Sequence, residues 1–328
     1  MTRRKKRLKN KKLKHQNRSV WWAVDPLQDE NEFHTHALQT LKPFATALRS
    51  QIVPVSYFNA SKALQFSAGL LKWLPNAKKA ENALVTMAQK RLSIIASGNK
   101  AKNLAKPIFL NSDLQNSPSL REKVSLLSLA AKKGGAKFIA MHSHGRKGIR
   151  RFYMGSFAET FMLYGNIPSL IINPGSPPSP RIKHILFPTD FSKESMAAFN
   201  FVVDLANELS AKLSIIHYFH IPSISIFHRN SVRKEYEDYI KRQDVQLLKR
   251  GASLEHRAKG KNVNSKFHLI REVGEFDPTA AILKFAKFNS VKLIALASQS
   301  SASKTYFIGA TSRELVRNAE CPVLIFRK

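Results

Sequence analysis

Cysteine occurs once in the 328 residues, at Cys321, so the chain has no internal disulfide framework to fold on. A protein built this way suits a reducing compartment, and the cytoplasm is the expected location. No apolar run approaches the roughly 20 residues that span a bilayer, and the basic N-terminus has no apolar h-region of a secretory signal. Acid is scarce as well: 22 Asp and Glu stand against 54 Lys and Arg, a net charge of +32. No Gly-x-Ser-x-Gly elbow, Walker loop or paired-carboxylate spacing is present. With no evident nucleophile or general base, the chain reads as a binding protein and not as an enzyme.

What remains is ample. Hydrophobic residues make up 43% of the chain, enough for two domains of roughly 150 residues each. Residues 1–18 hold ten Lys and Arg and no acid, and removing those ten from +32 leaves +22 on the rest. Residues 1–18 are expected to form a disordered basic arm, either a solvated tail or a binder of RNA or DNA through counterion release.

Apolar periodicity then alternates between strand and helix. Strands are expected at 19–24, 51–58, 107–110, 136–141 and 169–173, and helices at 36–49, 79–97 and 120–133, with a further helix opening at Ser156. Pro54 is awkward in a central strand, and Gly134-Gly135 stops a helix. Four prolines in residues 174–180 mark a linker, placing domain boundaries at 19–174 and 182–328 with residues 175–181 between them. Beyond it the plan repeats: strands at 184–188, 212–219, 266–273, 291–297 and 322–326, and helices at 192–210, 232–259, 277–288 and 311–318. Gly155 recurs as Gly309 and Pro168 as Pro322, each 154 positions on, while Asp25 recurs as Asp190 after 165.

This pattern predicts an α/β protein: two tandem Rossmann-like doubly wound domains, each with a five-stranded parallel sheet flanked by helices. Ligands of such folds bind beyond the carboxyl ends of the strands. One loop lies there with chemistry to match. Gly145 is followed by nine residues and then Gly155-Ser156 at a helix start. The glycines allow close backbone approach, Ser156 and Phe157 offer N–H groups at a helix N-terminus, and Arg146, Lys147, Arg150 and Arg151 add positive charge. A phosphate fits that description.

These residues resemble the universal stress protein family, whose nucleotide-binding members carry G-x-x-G, nine residues, then G-[ST]. His142 stands where the family's first glycine would be. The resemblance is clearer over 182–328, through ILFPTDFS and CPVLIF, than over 19–174. It implies an adenine nucleotide, ATP or another, as ligand, or none if both sites have degenerated. It assigns Asp25 and Asp190 to the adenosine end, with Val24 and Pro188-Thr189 as main-chain neighbours, and Met141 and His142 to the strand end before the loop. In the second half only Gly309 of the glycine pattern survives, and Ala310 replaces Ser or Thr. The phosphate end thus matches better in the first half and the adenosine end in the second. The chain also lacks the Ser-Gly-Gly-x-Asp-Ser type loop of related ATP pyrophosphatases, so at most slow ATP hydrolysis is implied.

By the same resemblance the strands at 169–173 and 322–326 would pair as a pseudo-dimer within the chain, with a homodimer as the other form. Metal is not expected: His34, His36, His142 and His144 come in pairs, and a metal centre needs three or four convergent ligands. His217 and His220 read as the end of a strand. The rival reading keeps the fold as a scaffold and gives the function to the basic arm.

Overall fold

A computed structural model of the protein describes residues 19–26, 31–58, 77–98, 103–111, 119–143, 155–221, 230–273, 277–298 and 309–327. The basic arm, Gly145 and the arginines at 146, 150 and 151 lie outside the described residues. The chain divides after Pro180 into two units.

The first unit runs β1 (Ser19–Ala23), α1 (Asn31–Ala47), β2 (Gln51–Phe58), α2 (Ala77–Gly98), β3 (Ile108–Asn111), α3 (Leu120–Lys133), β4 (Ala136–His142), α4 (Ser156–Tyr164) and β5 (Ser169–Ile172). Its strands lie in the order β3-β2-β1-β4-β5, each pair parallel. β1 is central because it can be buried on both faces: Val20, Trp21 and Trp22 are all within 3% of full burial. Phe44 of α1 meets Phe138 of β4 edge to face at 5.4 Å, tying helix to sheet.

Local chemistry sets the element ends. Ser119 caps α3 and forms a capping box with Glu122, whose carboxylate accepts from the Ser119 N–H at 2.7 Å. Those bonds favour the ionised form and hold the Glu122 carboxyl below its ordinary range. At the other end Gly135 takes φ 68, and Gly134 lies so close to Trp21 that a Cβ would come within 2.6 Å of the indole.

Pro54 sits in β2 without disrupting the sheet. Ile52 donates to Asn103 O and accepts from the Ala105 N–H, but regular pairing with β3 begins only at Val55 and Ile108. The missing N–H of Pro54 therefore falls where that edge of β2 carries no ladder. Helix α1 begins at Asn31, five residues before the periodicity of 36–49 suggests. Its first turn is buried through Phe33 and His34, and His34 packs edge-on against Trp22 at 5.8 Å. A histidine in the apolar face hides the pattern.

The second unit repeats the plan with β6 (His184–Pro188), α5 (Lys193–Leu209), β7 (Lys212–Ile221), α6 (Asn230–Lys259), β8 (Ser265–Val273), α7 (Pro278–Phe288), β9 (Leu293–Ala297), α8 (Ala310–Asn318) and β10 (Val323–Phe326). The order is β8-β7-β6-β9-β10, again parallel throughout. Ser192 caps α5, Asp277 caps α7 with Pro278 in its first turn, and α6 packs along β8. No helix among the described residues is long and apolar enough to cross a membrane.

Candidate functional site

In the second unit the carboxyl ends of β6, β7 and β9 open into a cleft of about 370 Å³. Its walls are mainly apolar, from Ile216, Ile270, Ile282 and Leu296. Polar groups enter from separate elements: Thr189 and Asp190 after β6, His217 on β7, Ser298 after β9, and Thr311 and Ser312 on α8. An apolar body with a few convergent polar groups is the usual form of a small-molecule site.

The turn after β6 is held by its own side chains. Thr189 donates its N–H to Ile216 O at 2.9 Å, and its hydroxyl accepts from the Phe191 N–H at 3.0 Å. The same hydroxyl bonds Ser195 Oγ at 2.8 Å. Asp190 Oδ1 accepts from the Ser192 N–H at 2.9 Å, and Ser192 Oγ in turn accepts from the Ser195 N–H at the start of α5. Asp190 is exposed, and its carboxylate has capacity beyond the one turn bond.

His217 donates from Nδ1 to the Thr189 carbonyl at 2.7 Å. That bond fixes the tautomer and leaves Nε2 as an acceptor. Burial is the chief cause that pushes the imidazole below its ordinary range, opposed by the Thr189 bond, with Arg250 lowering it further. The ring is therefore neutral at pH 7. Tyr218 donates to Glu272 at the same edge, and burial with that bond raises the phenol to about 12.

Across the cleft, Gly309 begins α8 without a side-chain cap bond and donates its N–H to Ser298 O at 3.3 Å. A Cβ on Gly309 would meet nothing within 4 Å among the described residues. Residues 299–308, with Lys304, lie outside the described residues.

Strand register aligns the two units residue by residue. Val20 pairs with Phe138 as Ile185 pairs with Leu293, so His142 occupies the position of Ala297. Gly155 donates to Ser143 O just as Gly309 donates to Ser298 O. Likewise Ser56 occupies the position of His217, because Ser19 pairs with Gln51 as His184 pairs with Lys212. Helix ends match at the same offset, Gly134 with Asn289 and Gly135 with Ser290, so Lys123 falls at the position of Pro278. Two residues that line the second-unit cleft, Ala297 and Pro278, are thus a histidine and a lysine in the first unit.

Both are packed in place. Phe33 meets the His142 ring edge-on at 5.4 Å, and His36 lies 5.9 Å from it. His142 Nε2 is buried with no hydrogen-bond partner among the described residues. Lys123 is buried, with Nζ 5.5 Å from the Tyr57 ring centre. Of the other first-unit candidates, Met141 is buried in β4 beside β5, and Val24 donates to Val55 O at 2.8 Å. Asp25 is exposed after β1 and is engaged in a contact of its own. Ser156 opens α4, and Phe157 packs on Phe161. Among the described residues no group of three or more His, Cys, Asp or Glu could hold a metal ion.

Burial, then the His36 and His34 rings, push His142 down from 6.5 to about 3. An unfolded chain takes up a proton near 6.5 that the folded chain refuses until about pH 3. Stability is therefore complete above pH 6.5 and falls as pH drops through that window, by up to ~1.4 kcal/mol per pH unit for one such group. Urea unfolding at pH 7, 6 and 5 should show this loss, and His142→Gln should make it shallower, leaving the share of other depressed imidazoles such as His217. An equal slope in the variant would remove His142 as its source.

Sequence reasoning found Pro188, Thr189, Asp190 and Gly309, all of which line the cleft. It read His217 as a strand end, took Ser298 as the first hydroxyl of a serine-rich run at 298–303, and did not single out Ile282, Thr311 or Ser312. The available signal was the Asp277-Pro278 helix start.

Comparison with known proteins bears on the fold. Residues 181–327 match the universal stress protein family model. A curated relative, universal stress protein YxiE of Bacillus subtilis (strain 168), is 28% identical over 144 residues, covering 44% of this chain and 97% of that protein. A universal stress protein structure from Archaeoglobus fulgidus DSM 4304 is similar over 94% of this chain and 98% of its own, at 17% identity and a TM-score of 0.57. The structure of PA1789 from Pseudomonas aeruginosa PAO1 covers 95% of this chain and 93% of its own, at 13% identity and a TM-score of 0.53. At those identities the structural matches speak to fold alone. Residues 181–327 thus form a domain that matches the universal stress protein family, and the first unit repeats its strand order.

Proposed function

We propose that the second unit binds an adenine nucleotide in its cleft, and that the protein acts as a stress-response binding module whose partners or conformation respond to that ligand. The observation that carries this is the pairing of opposite ends within one cleft. Asp190 and the His217 Nε2 can accept from an adenine amino group or ribose hydroxyls, while the α8 start, where Gly309 has no side chain to cap it, offers N–H groups to phosphate. Ile216, Ile270 and Leu296 supply apolar walls for a purine. In the first unit His142 and Lys123 stand in the equivalent space, which supports the second unit as the binding half. Binding without turnover fits the hydroxyls of Thr189 and Ser195, which are bonded to each other and to the turn.

Calorimetric titration with ATP tests the reading. Wild type should bind, Asp190→Ala should weaken binding by about 10- to 100-fold as a charged acceptor is lost, and Asp25→Ala should change nothing. No heat with wild type overturns the proposal. Phosphate release under single-turnover conditions checks for slow hydrolysis, and none is expected. A second reading, polyanion binding through residues 1–18, rests on the ten cations there and is independent of the cleft.

A further inference from the structure

Phe191, in the turn that brings Thr189 and Asp190 to the cleft, has φ 58. A bulky L residue takes that left-handed conformation only where its surroundings compel it. Its own turn bonds do not complete the explanation, because Thr189 Oγ1 and Asp190 Oδ1 restrain amides and leave the Phe191 carbonyl and ring to other elements. One residue engages both. Arg250, on α6 and some sixty positions away in sequence, donates from Nη2 to Phe191 O at 3.1 Å and lays its guanidinium 4.3 Å from the centre of the Phe191 ring. The His217 ring, 4.9 Å from that of Phe191, and the Phe267 ring at 6.0 Å complete its surroundings. Arg250 does not line the cleft.

We propose that Arg250 is a positioning residue for the cleft: from α6 it holds the strained Phe191 peptide, and through it the Thr189, Asp190 and His217 groups, in the arrangement that receives the ligand. This rests on the nucleotide reading of the same cleft. A flat guanidinium is required, since one group must stack on a ring and donate to a carbonyl in the same turn. The arrangement also couples the cleft to the long charged helix, so that whatever shifts α6 shifts the turn.

Arg250→Gln and Arg250→Lys test it, and because Arg250 is solvent-exposed both variants should fold with a melting temperature near that of wild type. In the nucleotide-free protein, hydrogen exchange at the Phe191 and Ser192 amides should speed up in both variants. Affinity for ATP should fall about tenfold in both, because neither replacement side chain can lie flat on the Phe191 ring and donate to its carbonyl at once. His217, which faces Arg250, Asp190 and the Thr189 carbonyl, should titrate higher in Arg250→Gln and stay depressed in Arg250→Lys, which keeps the charge. Wild-type exchange and affinity in the variants, or affinity that falls only in step with melting temperature, would refute a positioning role. If wild type itself binds no ATP, the nucleotide reading fails, and amide exchange still decides whether Arg250 orders the turn.

Discussion

Ala297→His should abolish ATP binding, with a loss of more than about 100-fold, or ~2.7 kcal/mol. The substitution copies into the second unit the residue that the first unit carries at the same register, His142. Ala297 lines the cleft at the end of β9, between the Leu296 wall and Ser298. An imidazole there takes volume from a cavity of about 370 Å³ and brings two polar nitrogens into an apolar setting. In the first unit the ring finds Phe33 and His36 around it. In the second it would enter the cleft that Ala297 lines. Ala297→Ser adds one atom and should retain binding within about threefold, so size and not mere substitution is tested. Calorimetry on the two variants decides, and undiminished affinity in Ala297→His would remove the cleft from the function. The reciprocal change, His142→Ala, should not create a second site, because Lys123 still stands in the position of cleft-lining Pro278.

Much of this architecture is legible in the chain because its strands are short, apolar and separated by punctuation. Ser192 and Asp277 announce helices through side-chain oxygens that cap them, and Gly134-Gly135 announces an end. Histidine is where the reading falters. His34 and His142 are polar by composition yet lie in packed surroundings, so α1 begins earlier than apolar periodicity implies and the first-unit loop reads as more open than its strand end is. The site divides the same way. Asp190 and Gly309 are visible because each punctuates an element boundary. His217, Ile282 and Thr311 are not, because they converge only after three crossovers bring β7, α7 and α8 to one edge of the sheet. Arg250 is least visible of all, a cation among many on a charged helix, distinguished only by the carbonyl and ring it meets.

Deleting residues 1–18 should reduce affinity for RNA or DNA by at least about tenfold near 100 mM salt, and should flatten its salt dependence by several units of slope. The arm holds ten cations and no acid, and its removal takes the net charge from +32 to +22. Each phosphate neutralised releases counterions and contributes close to −0.9 to the slope of log K against log salt on duplex DNA, so even half of ten contacts gives a large effect. The remaining charge attracts polyanions too, but spread over folded surfaces it meets fewer phosphates at once. Replacing the ten arm cations with glutamine should reproduce the deletion, which separates charge from chain length. ATP affinity should be the same in full-length and truncated protein, since the cleft belongs to residues 188–312. Equal salt slopes with and without the arm would leave the basic segment a solubilising tail, and the cleft as the sole basis for function.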